Sequence, residues 1–147
     1  MSDRPANNLE QLAAKLKQSL GIIQKQDIQV VSQILGLQTD NQIPVGDDCA
    51  AIPDGEGYLL LAAEGMWHVL VQEDPWFAGW CAVMVNVNDI AAMGGRAIAI
   101  VDTIWTEDTI KAVPLLEGIK AAARAFNVPV VGGHTNFKSA YNALSIS

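Results

Sequence analysis

An α/β layer fold, with helices on one face of a mixed sheet, is what this sequence predicts, and three observations predict it. Runs with apolar residues at helical spacing alternate with short apolar runs of strand length. Glycine, proline or asparagine stands at nearly every change of run. Half of the 147 residues are hydrophobic and 17% are charged, a composition that supports a core and argues against disorder.

Taken in order, residues 8–20 put Leu9, Leu12, Ala13, Leu16 and Leu20 on one helical face, with Lys15 and Lys17 off it and Gly21 as a stop. Asp27 is placed to cap a second helix over 28–35, apolar at Val30, Val31, Ile34 and Leu35 and ended by Gly36. Residues 41–65 read as two short strands, 49–52 and 58–63, around a turn at 53–57. The second is apolar on both faces and so predicts burial. Pro75 opens a long helix that ends at Gly94-Gly95. Residues 97–105 form a strand and 108–126 a helix, in which Pro114 predicts a late start or a kink. A strand at 128–131 runs into Gly132-Gly133.

Residues 141–147 begin an alternating pattern on which the sequence stops, so a longer protein with a further C-terminal domain is expected. An N-terminal helical segment over 1–38 and a main domain over 39–147 complete the predicted organisation.

The net charge of −7 opposes nucleic acid, whose phosphates need clustered Lys and Arg, and an anionic membrane surface. Residues 1–10 lack the basic start and apolar run of a signal peptide. The apolar stretches at 79–85 and 98–101 are too short to span a bilayer. Cys49 and Cys81 make neither a disulfide framework nor a zinc site. A cytoplasmic location is the expectation.

The charge distribution is more informative. No Lys or Arg lies between Lys25 and Arg96, whereas ten acids do: Asp27, Asp40, Asp47, Asp48, Asp54, Glu56, Glu64, Glu73, Asp74 and Asp89. Asp54 and Glu56 belong to the turn surface. A carboxylate in apolar surroundings without a basic partner pairs, protonates or binds metal. Asp89 is the sharpest case, the only charged residue from 75 to 95. On a helix it shares a face with Ala82, Asn86 and Met93, and its mid-helix position argues against a cap. Gly46-Asp47-Asp48 precedes a strand, and adjacent residues of an extended chain point to opposite sides. Alone, that tripeptide reads first as a turn. Glu64, at a strand end, reads equally as a surface acid or as a member of the cluster.

Magnesium suits carboxylate oxygens and is commonly shared with substrate phosphates. Gly132-Gly133 offers close backbone approach to a phosphate. Neither a Walker A sequence nor Gly-x-Gly-x-x-Gly is present. His68 reads as a loop or packed histidine, and Trp67, Trp76 and Trp80 as core or interface.

Three motifs occur in order: Val45-Gly46-Asp47-Asp48-Cys49-Ala50-Ala51-Ile52, then Asn86-Val87-Asn88-Asp89-Ile90-Ala91-Ala92-Met93-Gly94-Gly95, then Val131-Gly132-Gly133-His134-Thr135. Together, over roughly residues 40–147, they resemble the N-terminal domain of the aminoimidazole ribonucleotide synthase (PurM-like) superfamily, with thiamine-monophosphate kinase most similar in motif. The resemblance implies an N-terminal ATP- and magnesium-binding domain whose sheet pairs in a homodimer to close a barrel-like core. It implies metal ligation by Asp47, Asp48, Glu64 and Asp89. Asn86, Gly132, Gly133 and His134 become the ATP-side candidates, and an unidentified small molecule the second substrate.

Two positions depart from the kinase pattern: Glu64 and His134 each stand where that family has aspartate. Histidine is a poor magnesium ligand. Residues 66–77 also differ from the kinase, so thiamine phosphate is not carried over as substrate. The implied function is ATP-driven phosphoryl transfer or substrate activation by the longer protein, with this portion alone inactive. The alternatives are a dimerisation or ligand-sensing domain that has lost a competent site, and a two-metal hydrolase.

Overall fold

The computed structural model describes residues 5–37, 43 and 45–147. They fall into two compact units, Met1–Asp47 and Asp48–Ser147. The expected boundary between residues 38 and 39, and Asp40 of the acidic run, lie outside the described residues.

The first unit holds α1 (Pro5–Lys17) and α2 (Leu20–Leu35). The break falls at Ser19, whose backbone is extended (φ −70°, ψ 141°), and not at Gly21. Glycine in a first helical turn costs little, so α2 starts at once and runs through Asp27, which caps nothing here. Gly36 ends it in the left-handed conformation (φ 64°), as its sequence position predicts.

The second unit begins with a hairpin of β1 (Ala50–Asp54) and β2 (Gly57–Leu61), antiparallel around Gly55-Glu56. The expectation that residues 58–63 form a strand buried on both faces fails. Leu59 and Leu61 are about half exposed, because β1 and β2 form their own two-stranded sheet. Leu60, on the other face, packs against Gly95.

The main sheet has the order β3-β6-β4-β5. It comprises β3 (Glu64–Gly65), β4 (Ile100–Trp105), β5 (Val130–Asn136) and β6 (Ala143–Ile146). β4 and β5 are parallel; β6 is antiparallel to both β3 and β4. The sheet is therefore mixed, as expected. Three helices join it: α3 (His68–Glu73), α4 (Pro75–Ala92) and α5 (Thr109–Ala125). The sequence reading missed β3 and α3, which are too short to show a period.

Two aspartates start the long helices. Asp74 accepts a hydrogen bond from the Phe77 N–H at 3.0 Å, and Asp108 one from the Lys111 N–H at 2.8 Å. Each such cap stabilises by about 1 kcal/mol. Pro114 neither delays nor ends α5, which runs through it. Gly132 and Gly133, expected just past a strand, lie inside β5, directly after a register shift in its pairing with β4, where a strand glycine is common.

Alternation along β4 sends Ile100 and Ile104 to the helix-covered face, where they meet Leu144 and Ile146 of β6 and Val83, Leu115 and Ile119 of the helices. α4 and α5 cross at a glycine pair. A Cβ on Gly79 would overlap the carbonyl of Leu115, and one on Gly118 that of Trp76. Only glycine permits this backbone-to-backbone approach. Trp76 stacks on Trp80 at 5.7 Å and Trp80 meets Phe126 at 6.0 Å, whereas Trp67 is 67% exposed and lies outside the core. Cys49 and Cys81 are both buried thiols. No helix among the described residues is long and apolar enough to cross a membrane.

Candidate functional site

The glycine crossing fixes α4 on α5, and the sheet then sets which face of α4 is buried: Ala78, Ala82, Val83 and Asn86. Asn86 is 4% exposed. Its amide Nδ2 donates to the Ala82 carbonyl at 2.8 Å. Its Oδ1 is buried and, among the described residues, accepts no hydrogen bond. Such an orphaned acceptor costs on the order of 1–3 kcal/mol, so it marks a place where a donor belongs.

Asn86 lines a cavity of about 380 Å³ between β2, the C-terminal half of α4 and residues 95–100, walled by Leu60, Val87, Ile90 and Ile98. One turn further on, Asp89 is half buried. Asn86 and Asp89 thus leave neighbouring positions of one helix, as their spacing predicts.

The other candidate acids are arranged more loosely. Asp47 ends the first unit and Asp48 opens the second; both are exposed. Glu64 is exposed on β3 and pairs with Ile146. Among the described residues, no three His, Cys, Asp or Glu side chains converge to hold a metal. The donor chemistry nonetheless suits magnesium, which is commonly held by one or two carboxylates together with phosphate oxygens and water.

On β5 the two glycines differ. Gly132 pairs with Val101 and nothing stands within 4 Å of where its Cβ would be. Gly133 pairs with Asp102, and a Cβ there would lie 2.3 Å from the Asp102 carbonyl oxygen and 2.6 Å from its Oδ1. The missing side chain of Gly133 therefore makes room for Asp102, while Gly132 leaves its own face open. His134 shares that open face with Thr103 and meets the Trp105 ring at 5.7 Å. His68 starts α3, on the surface.

Asp102 is the residue that sequence reasoning missed. Burial pushes its carboxyl above the usual carboxylate range. The signal was present: a lone acid in an apolar strand, the criterion that singled out Asp89. It lies beyond Arg96, outside the acid-rich window.

These features define a class: a mixed-sheet α/β domain with an orphaned amide and a half-buried acid one turn apart in the C-terminal half of one long helix. The chain belongs to the family described as AIR synthase related protein, N-terminal domain, which it matches over residues 46–147. It is 54% identical over 144 residues to an uncharacterised protein of Synechocystis, covering 95% of this chain and 44% of that one. It is 30% identical over 120 residues to the thiamine-monophosphate kinase of Methanocaldococcus jannaschii, covering 74% of this chain and 37% of the kinase. A solved structure described as AaThiL complexed with AMPPCP and TMP superposes with a TM-score of 0.67 at 27% identity, over 81% of this chain and 38% of that one. The chain thus spans less than half the length of these relatives.

Proposed function

We propose that this chain is the nucleotide-handling N-terminal half of an ATP- and magnesium-dependent enzyme that phosphorylates a small molecule or activates one of its oxygens for displacement. The observation that carries this reading is the pairing, on one helix, of Asn86, whose buried Oδ1 lacks a donor, with Asp89, the only charge between residues 75 and 95. The likeness to a kinase solved with an ATP analogue and TMP supports it.

In this reading Asp89, Asp48 and Glu64 hold magnesium from the second unit, and Asp47 is the fourth candidate supplied by the same motif. Bound magnesium would neutralise phosphate charge as a phosphoryl group moves. The chain's own groups do the rest. Asn86 accepts a hydrogen bond from the nucleotide side, Gly132 leaves the backbone open to a phosphate, and His134 donates an N–H beside it. The exposed edge strand β5, with Val131 63% exposed, supports pairing of two copies edge to edge.

Asp89→Asn in the complete protein should lower magnesium-dependent ATP affinity by about a hundredfold or more, the scale of a lost charge-assisted contact. Equilibrium dialysis with and without magnesium measures it, and unchanged affinity would remove Asp89 from the site. The second reading, a sensing or dimerisation domain, draws on Glu64 and His134. Turnover of ATP by the complete protein with a phosphate acceptor would rule it out.

A further inference from the structure

The helix-covered side of β5 holds a second cleft, of about 530 Å³, between α5 and the strand. That volume lies in the range of small-molecule sites. Its walls are apolar, chiefly Leu116, Ile119, Val128 and Val130. It carries separated opposite charges: Asp102 from β4, and Lys120 and Arg124 from α5.

Asp102 backs onto Gly133, whose missing Cβ leaves the carboxylate its place. It is partly desolvated. Among the described residues it is in no salt bridge and accepts no hydrogen bond. Lys120 is held by Glu117 at 3.0 Å. Arg124, in the last turn of α5, is in no ion pair among the described residues. A partly buried carboxylate and an exposed guanidinium thus line one apolar cleft without forming an ion pair with each other.

The cleft is separate from the site proposed above. Asp102 and Gly133 point to the helix side of the sheet, and Thr103 and His134 to the other.

We propose that this cleft binds a small amphoteric molecule of the α-amino-acid class. Its ammonium group is received by Asp102, its carboxylate by Arg124, and its apolar side chain by Leu116, Ile119 and Val128. A molecule with one charge would leave the opposite charge of the cleft unanswered, and a polar one would waste the apolar walls.

Calorimetric titration of the complete protein tests this, with L-leucine as the probe and isoamylamine and 4-methylvalerate as its single-charge counterparts. L-leucine is expected to bind saturably and each counterpart about tenfold more weakly or worse, as the loss of a charge-assisted contact requires. Asp102→Asn and Arg124→Gln should each weaken L-leucine by about tenfold or more. Arg124 is exposed, so its variant keeps the test open if Asp102→Asn disturbs folding. No saturable binding at millimolar L-leucine, equal binding of either counterpart, or an Arg124→Gln variant that binds as the parent does would each overturn the proposal. Magnesium-dependent ATP affinity should be unchanged in Arg124→Gln, which separates this site from the nucleotide reading.

Discussion

Asn86 and Asp102 are both polar groups set in apolar runs, yet the fold treats them in opposite ways. Asn86 stands on a helix, is buried in the wall of a cavity, and leaves one acceptor without a donor among the described residues. Asp102 stands on a strand beside an open cleft and stays partly hydrated. A neutral amide can be buried at a cost of one hydrogen bond; a carboxylate cannot be sealed in without a cation or a proton. The comparison shows how this chain places polarity inside its core: amides where the backbone closes, acids where solvent still reaches.

The change that breaks the comparison most severely is at the seam holding α4 in place. Gly118→Val drives a side chain into the Trp76 carbonyl and should destabilise the second unit by about 3 kcal/mol or more. A urea unfolding midpoint equal to that of the parent would show that the seam does not set the position of Asn86.

A smaller effect isolates Asn86. Asn86→Leu removes the unanswered oxygen and should be neutral or stabilising by up to about 1 kcal/mol, while ATP affinity falls. Marked destabilisation would mean that the amide serves the fold and not a ligand.

The counterpart at Asp102 is read in pH. Its folded-state carboxyl titrates above the ordinary value of 3.8, so over that interval the folded chain holds a proton that the unfolded chain has released. Stability therefore falls as pH rises from the ordinary value through the raised one. Asp102→Asn should remove this slope, so that its stability relative to the parent grows across that interval and is constant above it. Parallel profiles by thermal melting would count against a desolvated carboxylate. The smallest change expected is Glu117→Ala, which releases the exposed Lys120 pair and should shift stability by no more than about 0.5 kcal/mol.

The two polar groups also mark how far the sequence could be read. α4 was legible from Pro75 to its glycine end because eighteen residues give the helical period room to repeat, and the face shared by Asn86 and Asp89 followed from it. β3, with two residues, has no period to show. The exposure of Leu59 and Leu61 depended on which sheet their strand joined, a long-range matter that apolar content does not encode. The break at Ser19 lost to a more obvious Gly21. Asp102 was visible as an isolated acid, but its tie to Gly133 exists only through the parallel pairing of β4 with β5, thirty-one residues apart in sequence.

The glycine crossing of α4 and α5 has a mechanical consequence. Two helices whose backbones touch cannot slide or roll past one another without first separating, since every ridge on either side blocks the path. α4 and α5 therefore move as one stiff lever. Any rearrangement that accompanies ligand capture within the second unit is left to the parts that rest on that lever lightly, above all the β1–β2 hairpin, whose Leu60 sits against Gly95.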